Sequence, residues 1–225
     1  MPPSPKGATL TIYVDCVSPY SWFGFTSIRN YRPALQAHGV HVEITPFFLG
    51  GARDSAGNPW MPTPKWKEAF SKQDSEMTGK LLGLETKQPK EFPIMSLFAV
   101  RVATWVKDHY PDDKFEDTFL ALVSGYWNKG INIAKPEGIL EALSEVFPKE
   151  EIEEIMQKAV TPENKKIVID RTMASGAFGA PWIVGVTSEG NKKMWFGNDR
   201  WEQVFAHLGV PYSPLAVLPP KESKL

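Results

Sequence analysis

Hydrophobic and polar positions alternate along Thr9–Val14 (Thr-Leu-Thr-Ile-Tyr-Val), the period of a strand with one face turned inward. The alternation stops at Asp15, and apolar residues then recur at helical spacing. Ser18 falls where an N-cap belongs and Pro19 where a first helical residue belongs, the order that capping favours. The pattern predicts a helix over 20–37 ending at Gly39, with a kink or break near Tyr31 because Pro33 lies inside it. Residues 40–45 alternate again as a second strand. A β-α-β unit in one sheet implies parallel strands and a right-handed crossover. Residues 50–64, with Gly50-Gly51, Gly57-Asn58 and Pro59, Pro62 and Pro64, read as loop.

A long helical stretch follows, in pieces over 64–82, 94–109, 115–128, 136–147, 149–159 and 162–175. Thr161-Pro162-Glu163 is a start signal of cap, proline and early acid, and Gly176 closes the last piece. Residues 182–187 read as a strand, Ser188-Glu189-Gly190-Asn191 as a turn, and 192–196 as the hairpin partner. Asn198-Asp199 is expected to cap a final helix ending at Leu208-Gly209. The order is β-α-β, then helices, then β-β-α. That is an α/β chain with a thioredoxin-like fold split by an all-helical insert. Residues 8–58 and 177–210 are assigned to the thioredoxin-like domain, 59–176 to the helical insert and 211–225 to a proline-rich tail.

Composition narrows the setting. With 42% hydrophobic residues among 225, the chain has enough apolar material for a buried core. A formal net charge of −1 gives no electrostatic footprint for nucleic acid or an anionic membrane. One cysteine excludes an intrachain disulfide and fits a reducing compartment. No apolar leader region precedes the first strand, and no run is long enough to span a membrane. The terminal Ser223, Lys224 and Leu225 read as a peroxisomal import address, which implies an import receptor as partner; the cytosol and mitochondrion are the other reducing compartments considered.

The chemistry concentrates where the first strand meets the first helix, in Asp15-Cys16-Val17-Ser18-Pro19-Tyr20-Ser21-Trp22. A thioredoxin-like protein would carry Cys-Pro-x-Cys there, and this chain has serine at both positions. A helix N-terminus presents unpaired N–H groups and about half a positive charge, which favours a thiolate. With Ser18 in the nucleophile's place, that thiolate has to arrive on a small molecule, and glutathione is the candidate. Cys16, at the end of an apolar strand, reads as a packing residue. His38, His41, His109 and His207 show neither metal spacing nor a pairing with Ser18, so no metal and no hydrolase triad is expected. Two further segments should meet Ser18, since αβ architecture places ligands at strand ends and helix N-termini. They are Gly176-Ala177-Phe178-Gly179-Ala180-Pro181-Trp182, where a cis Ala180–Pro181 bond would explain a proline opening a strand, and Asn198-Asp199.

Tyr13-Val14-Asp15 with Ser18-Pro19-Tyr20-Ser21-Trp22, Phe47-Phe48-Leu49-Gly50-Gly51, Asp54-Ser55, Gly57-Asn58, Gly176 to Pro181 and Phe196-Gly197-Asn198-Asp199-Arg200 resembles kappa-class glutathione transferases, in order and spacing across nearly the whole chain. The class is related to 2-hydroxychromene-2-carboxylate isomerases. The resemblance implies that Ser18 hydrogen-bonds the glutathione sulfur and that Pro19 and Tyr20 line the same turn. It places Asn58 on the tripeptide, pairs the Ala180 backbone beside Pro181 with the cysteinyl unit, and gives Asn198 and Asp199 the γ-glutamyl end. Asn198 stands where other members have serine, and either Lys65 or Lys67 can approach the glycyl carboxylate. Trp60 and Trp182 are expected at the mouth, as an aromatic wall for a second substrate. The expected function is conjugation of glutathione, as co-substrate, to a small apolar electrophile by a homodimer, with peroxide as another acceptor. The alternatives are a glutathione-dependent isomerase and a non-catalytic glutathione-binding or client-binding module.

Overall fold

The structure, a computed structural model, describes residues 7–58, 61 and 64–215. The terminal Ser223-Lys224-Leu225 and Trp60 lie outside them. Strand β1 (Thr9–Val14) buries Leu10, Ile12 and Val14 on one face, as its alternation requires. Helix α1 (Pro19–Ala37) follows, then β2 (His41–Pro46), which pairs parallel with β1 from Thr9↔His41 to Val14↔Pro46. Seven helices come next: α2 (Leu49–Ser55), α3 (Lys65–Leu81), α4 (Leu97–His109), α5 (Asp112–Trp127), α6 (Pro136–Leu143), α7 (Lys149–Ala159) and α8 (Pro162–Ser175). The hairpin β3 (Trp182–Val186) and β4 (Lys192–Phe196) and helix α9 (Trp201–Leu208) complete the order. The sheet runs β2-β1-β3-β4, with β3 antiparallel to both β1 and β4. No helix of the described residues is long and apolar enough to cross a membrane.

The two faces of the sheet carry separate clusters. On one, Leu10, Ile12, Val14 and Ile183 pack with α1, α9 and the helices from α4 to α8 in one continuous core. On the other, Phe47, Ala52, Ala177, Ala180, Trp182 and Val184 form a smaller group. Glu116 of α5 ties that helix to α1 through Arg29 at 3.2 Å and Arg32 at 2.5 Å.

Two expectations are corrected here. The chain after β2 is not all loop: Leu49–Ser55 is helical although its sequence is Leu-Gly-Gly-Ala-Arg-Asp-Ser. Distant groups satisfy its first N–H donors. Asp15 Oδ2 accepts from Leu49 N at 2.8 Å and Thr172 Oγ1 from Phe48 N at 3.0 Å. Nor does α1 break at Pro33. It continues to Ala37, with Tyr31 edge-on against Trp201 and Phe205, while Arg29 and Asn30, in the turn before Pro33, are open to water.

Candidate functional site

The Ser18 turn is assembled by Asp15. The Ser18 N–H donates to the Asp15 carbonyl at 3.0 Å, and the Val17 N–H to Asp15 Oδ1 at 3.0 Å. Ser18 then takes an extended conformation as N-cap of α1, and its Oγ accepts from Ser21 N at 3.3 Å. The same Oγ donates to the carbonyl of Ala180 at 3.4 Å. That distance is at the weak end for a hydroxyl donor, so the bond is readily exchanged. Ser18 is buried, at 7% exposure, with its hydroxyl in the seam between α1 and the strand that Pro181 opens.

Ala180–Pro181 is cis, as expected, and Phe92–Pro93 is also cis. Gly24 lets α1 lie directly on this bend: a Cβ there would sit 3.0 Å from both Pro181 Cγ and Ile12 Cδ1. Gly197 N donates to the Pro181 carbonyl at 3.1 Å, which holds the end of β4 and Asn198-Asp199 beside the cis bend. Asn58 reaches the same place from the end of α2, its Nδ2 donating to the Phe178 carbonyl at 3.4 Å. The Asn58 carbonyl is itself held by Arg53 Nε at 3.0 Å. Ser18, Pro19, Asn58, Ala180, Pro181, Asn198 and Asp199 are thus brought to one end of the sheet. Tyr20 joins them from the first turn of α1, where its hydroxyl donates to Asp74 Oδ2 of α3 at 2.5 Å. Burial, and then the Asp74 carboxylate, push that phenol's pKa up, so it stays neutral.

Two details depart from expectation. Helix α9 starts at Trp201 with Arg200 as its N-cap residue and no side-chain cap. Asn198 instead accepts from the Trp201 indole N–H at 3.1 Å, and the exposed Asp199 lies 3.4 Å from Arg200. Residues 198 and 199 belong to the approach to the helix, where Gly197 at φ 97° turns the chain. Trp182 is no wall of the mouth. Its ring is buried and its Nε1 donates to the Ser175 carbonyl at 3.1 Å. The exposed aromatics beside the bend are Phe178 and Phe196, 5.1 Å apart. Lys65 and Lys67 sit exposed in the first turn of α3.

Cys16 is buried, and burial followed by the Asp15 charge drives its thiol pKa well up, as befits a packing residue. Among the described residues no group of three or more His, Cys, Asp or Glu side chains is placed to hold a metal ion. A cavity of about 390 Å³ lined by Lys87, Lys90, Glu91, Tyr126, Lys129 and Asn132 shares no residue with the Ser18 site.

The profile of the DSBA-like thioredoxin domain matches residues 9–209. The chain belongs to that family. Within it, this chain is similar to human glutathione S-transferase kappa 1, 29% identical over 217 residues that cover 92% of each chain. It is also similar to glutathione S-transferase kappa 2 of Caenorhabditis elegans, 26% identical over 222 residues, 92% of this chain and 95% of that one. In fold it resembles 2-hydroxychromene-2-carboxylate isomerase, with TM-score 0.70 and 17% identity over 89% of this chain and 94% of that one. The cytosolic disulfide reductase DsbM from Pseudomonas aeruginosa, solved with GSH, aligns at TM-score 0.58 and 14% identity over 87% and 92%. The resemblance to the kappa class read from the motifs is therefore matched by full-length relatives. The motif that contains Asp15 gives it no task by itself, and no sequence signal singles out Asp74 or Ser96, whose contacts with Tyr20 and Asp15 are long-range. The signal for Asp15 was present: a carboxylate directly after an apolar strand and within three residues of the candidate hydroxyl.

Proposed function

We propose that this chain is a kappa-type glutathione transferase, which binds glutathione between the Ser18 turn and the Ala180–Pro181 bend and delivers its thiolate to an apolar electrophile. The observation that carries the reading is the Ser18 hydroxyl, set at the N-cap of α1 and against the Ala180 carbonyl. A free thiol titrates near 8.5, so at neutral pH only a few per cent is thiolate. Lowering that by about two units takes about 2.7 kcal/mol of differential stabilisation. A charge-assisted bond from Ser18 supplies about 1.5–3 kcal/mol and the helix N-terminus about 0.3–1 kcal/mol. The hydroxyl gives up its long bond to Ala180 and donates to the sulfur. The thiol proton leaves to water. The sulfur then forms a bond to the electrophilic carbon, and the leaving group departs with its electron pair.

The rest of the tripeptide is assigned by chemistry. The Ala180 backbone suits the cysteinyl unit, with Asn58 alongside. The Asp199 carboxylate suits the γ-glutamyl ammonium, and its exposed contact with Arg200 costs little to release. Asn198 has its amide nitrogen left for a ligand oxygen, since its Oδ1 is taken by Trp201. A homodimer is part of the proposal, and sedimentation of the pure protein measures it.

Mixing the protein with glutathione and 1-chloro-2,4-dinitrobenzene should yield the dinitrophenyl conjugate and chloride, with thiolate absorbance in the binary complex. Isomerisation of a hydroxychromene carboxylate without conjugate formation would overturn the reading in favour of an isomerase. Thiolate without turnover on either substrate would leave a binding module.

A further inference from the structure

We propose that Asp15 is the positioning residue of this site: its carboxylate fixes the Ser18 turn, the start of α2 and the start of α4 relative to one another. The inference rests on the reading of Ser18 given above. Asp15 is completely buried at the end of β1. Its Oδ1 accepts from Val17 N at 3.0 Å, in the turn that presents Ser18. Its Oδ2 accepts from Leu49 N at 2.8 Å, the first residue of the helix that leads to Asn58, and from Ser96 Oγ at 2.8 Å, at the N-cap of α4. The main chain of the same residue adds two bonds. Its carbonyl holds the Ser18 N–H, and its N–H donates to Ser21 Oγ at 3.1 Å.

Two observations show that these partners are arranged for the carboxylate. Ser96 stands at a helix N-cap, where its hydroxyl would ordinarily accept from its own helix; it makes no such bond and donates to Asp15 instead. Phe48, the N-cap residue of α2, has no side chain able to cap, and the Asp15 charge takes that task. Only an acceptor at both oxygens satisfies this set. An amide at residue 15 would place its NH₂ against either the Val17 N–H or the Leu49 N–H, whichever way it is flipped, and would leave one buried backbone donor unpaired. The Cys16 thiol is the titratable group facing Asp15, and it is held neutral by burial.

Loss of this alignment and loss of a negative charge act in opposite directions on a nearby thiol. Removing the charge alone favours the thiolate. Releasing the Val17–Ser18 turn disfavours it, because the hydroxyl and the helix N–H groups no longer converge on one point.

The test uses the full chain with Asp15→Asn and Ser96→Ala, titrating the thiolate of bound glutathione by ultraviolet absorbance and measuring kcat and KM with 1-chloro-2,4-dinitrobenzene. In Asp15→Asn, with circular dichroism unchanged, the thiol should titrate about one unit higher and kcat should fall about tenfold, the KM for glutathione changing less. An unchanged or lowered thiol pKa, with kcat retained, overturns the proposal. If Asp15→Asn fails to fold, Ser96→Ala decides. It keeps the carboxylate and both N–H bonds, and should raise the thiol pKa by about half a unit; no rise overturns the proposal. A wild-type chain that forms no thiolate overturns the reading of Ser18 and this proposal together, whereas a wild type that forms it beside variants that match it overturns this proposal alone.

Discussion

The Ser18 hydroxyl meets the Ala180 carbonyl at 3.4 Å across a sequence separation of 162 residues, and everything helical between α2 and α8 is spanned by that one contact. Ser18→Ala removes both this bond and the cap on Ser21 N. The substitution should lower stability by about 1 kcal/mol, the ordinary cost of a lost N-cap, and reduce conjugation at neutral pH by about tenfold to a hundredfold. Denaturant midpoints and steady-state rates on one preparation separate the two effects. Retained activity would remove Ser18 from the mechanism.

Asp15 makes a prediction about pH and stability. Burial raises its pKa from 3.8 to about 6, against the opposing bonds from Val17, Leu49 and Ser96. The folded state thus binds this proton more tightly than the unfolded chain does. Its contribution is most favourable below pH about 4 and is lost as pH rises through about 6, a change of about 3 kcal/mol. In Asp15→Asn that component is absent. The stability of the variant relative to wild type should therefore improve by about 3 kcal/mol between pH 4 and pH 7, measured by urea unfolding at several pH values. A constant difference across that range would contradict the raised pKa.

Gly24 marks the closest approach of α1 to the cis bend. In most helices Gly→Ala stabilises by about 1 kcal/mol, but here the new methyl would stand 3.0 Å from Pro181 Cγ and Ile12 Cδ1. Gly24→Ala should destabilise by about 1–2 kcal/mol and weaken glutathione binding, because it pushes Pro181 and Ala180 away from Ser18. A more stable variant with unchanged binding would show that the bend yields freely.

Helix α3 buries only Ser75 and Gly79 among its residues, and its Asp74 carboxylate receives the Tyr20 hydroxyl at 2.5 Å. Tyr20→Phe should speed amide exchange across 65–81 while α4, packed between α5, α7 and α8, keeps its protection. Hydrogen exchange read by mass spectrometry resolves these segments. Equal protection of α3 in variant and wild type would assign its stability elsewhere.

Much of this could be read from the chain itself, and the exceptions share a cause. The β-α-β start, the hairpin and the Ser18 cap were legible because each is encoded by neighbouring residues: alternation in Thr9–Val14, Ser18 before Pro19, Gly190 in the turn. Helix α2 was not, since its first N–H groups are satisfied by Asp15 and Thr172, which are remote in sequence. Trp182 was misplaced for a similar reason. Its ring is drawn inward by the Ser175 carbonyl, and no local pattern announces which side of a short strand will be covered. The proposed site residues could be grouped from the sequence because they fall at strand ends and helix starts, which this topology brings together. The partners of the Asp15 carboxylate carry no such local signal, because Val17, Leu49 and Ser96 come from three separate segments.

Cys16 is the single sulfur-bearing nucleophile the chain possesses, and it is sealed in the core two residues from a hydroxyl where disulfide chemistry would need a thiol. Such a protein cannot be switched off by oxidation at its own centre: there is no accessible sulfur to become a sulfenic acid or to be trapped as a mixed disulfide. Under the proposed function, its sensitivity to oxidants is transferred to the supply of reduced glutathione around it. Peroxide stress would starve the site without damaging it, and replenishing the thiol would restore it with no repair step.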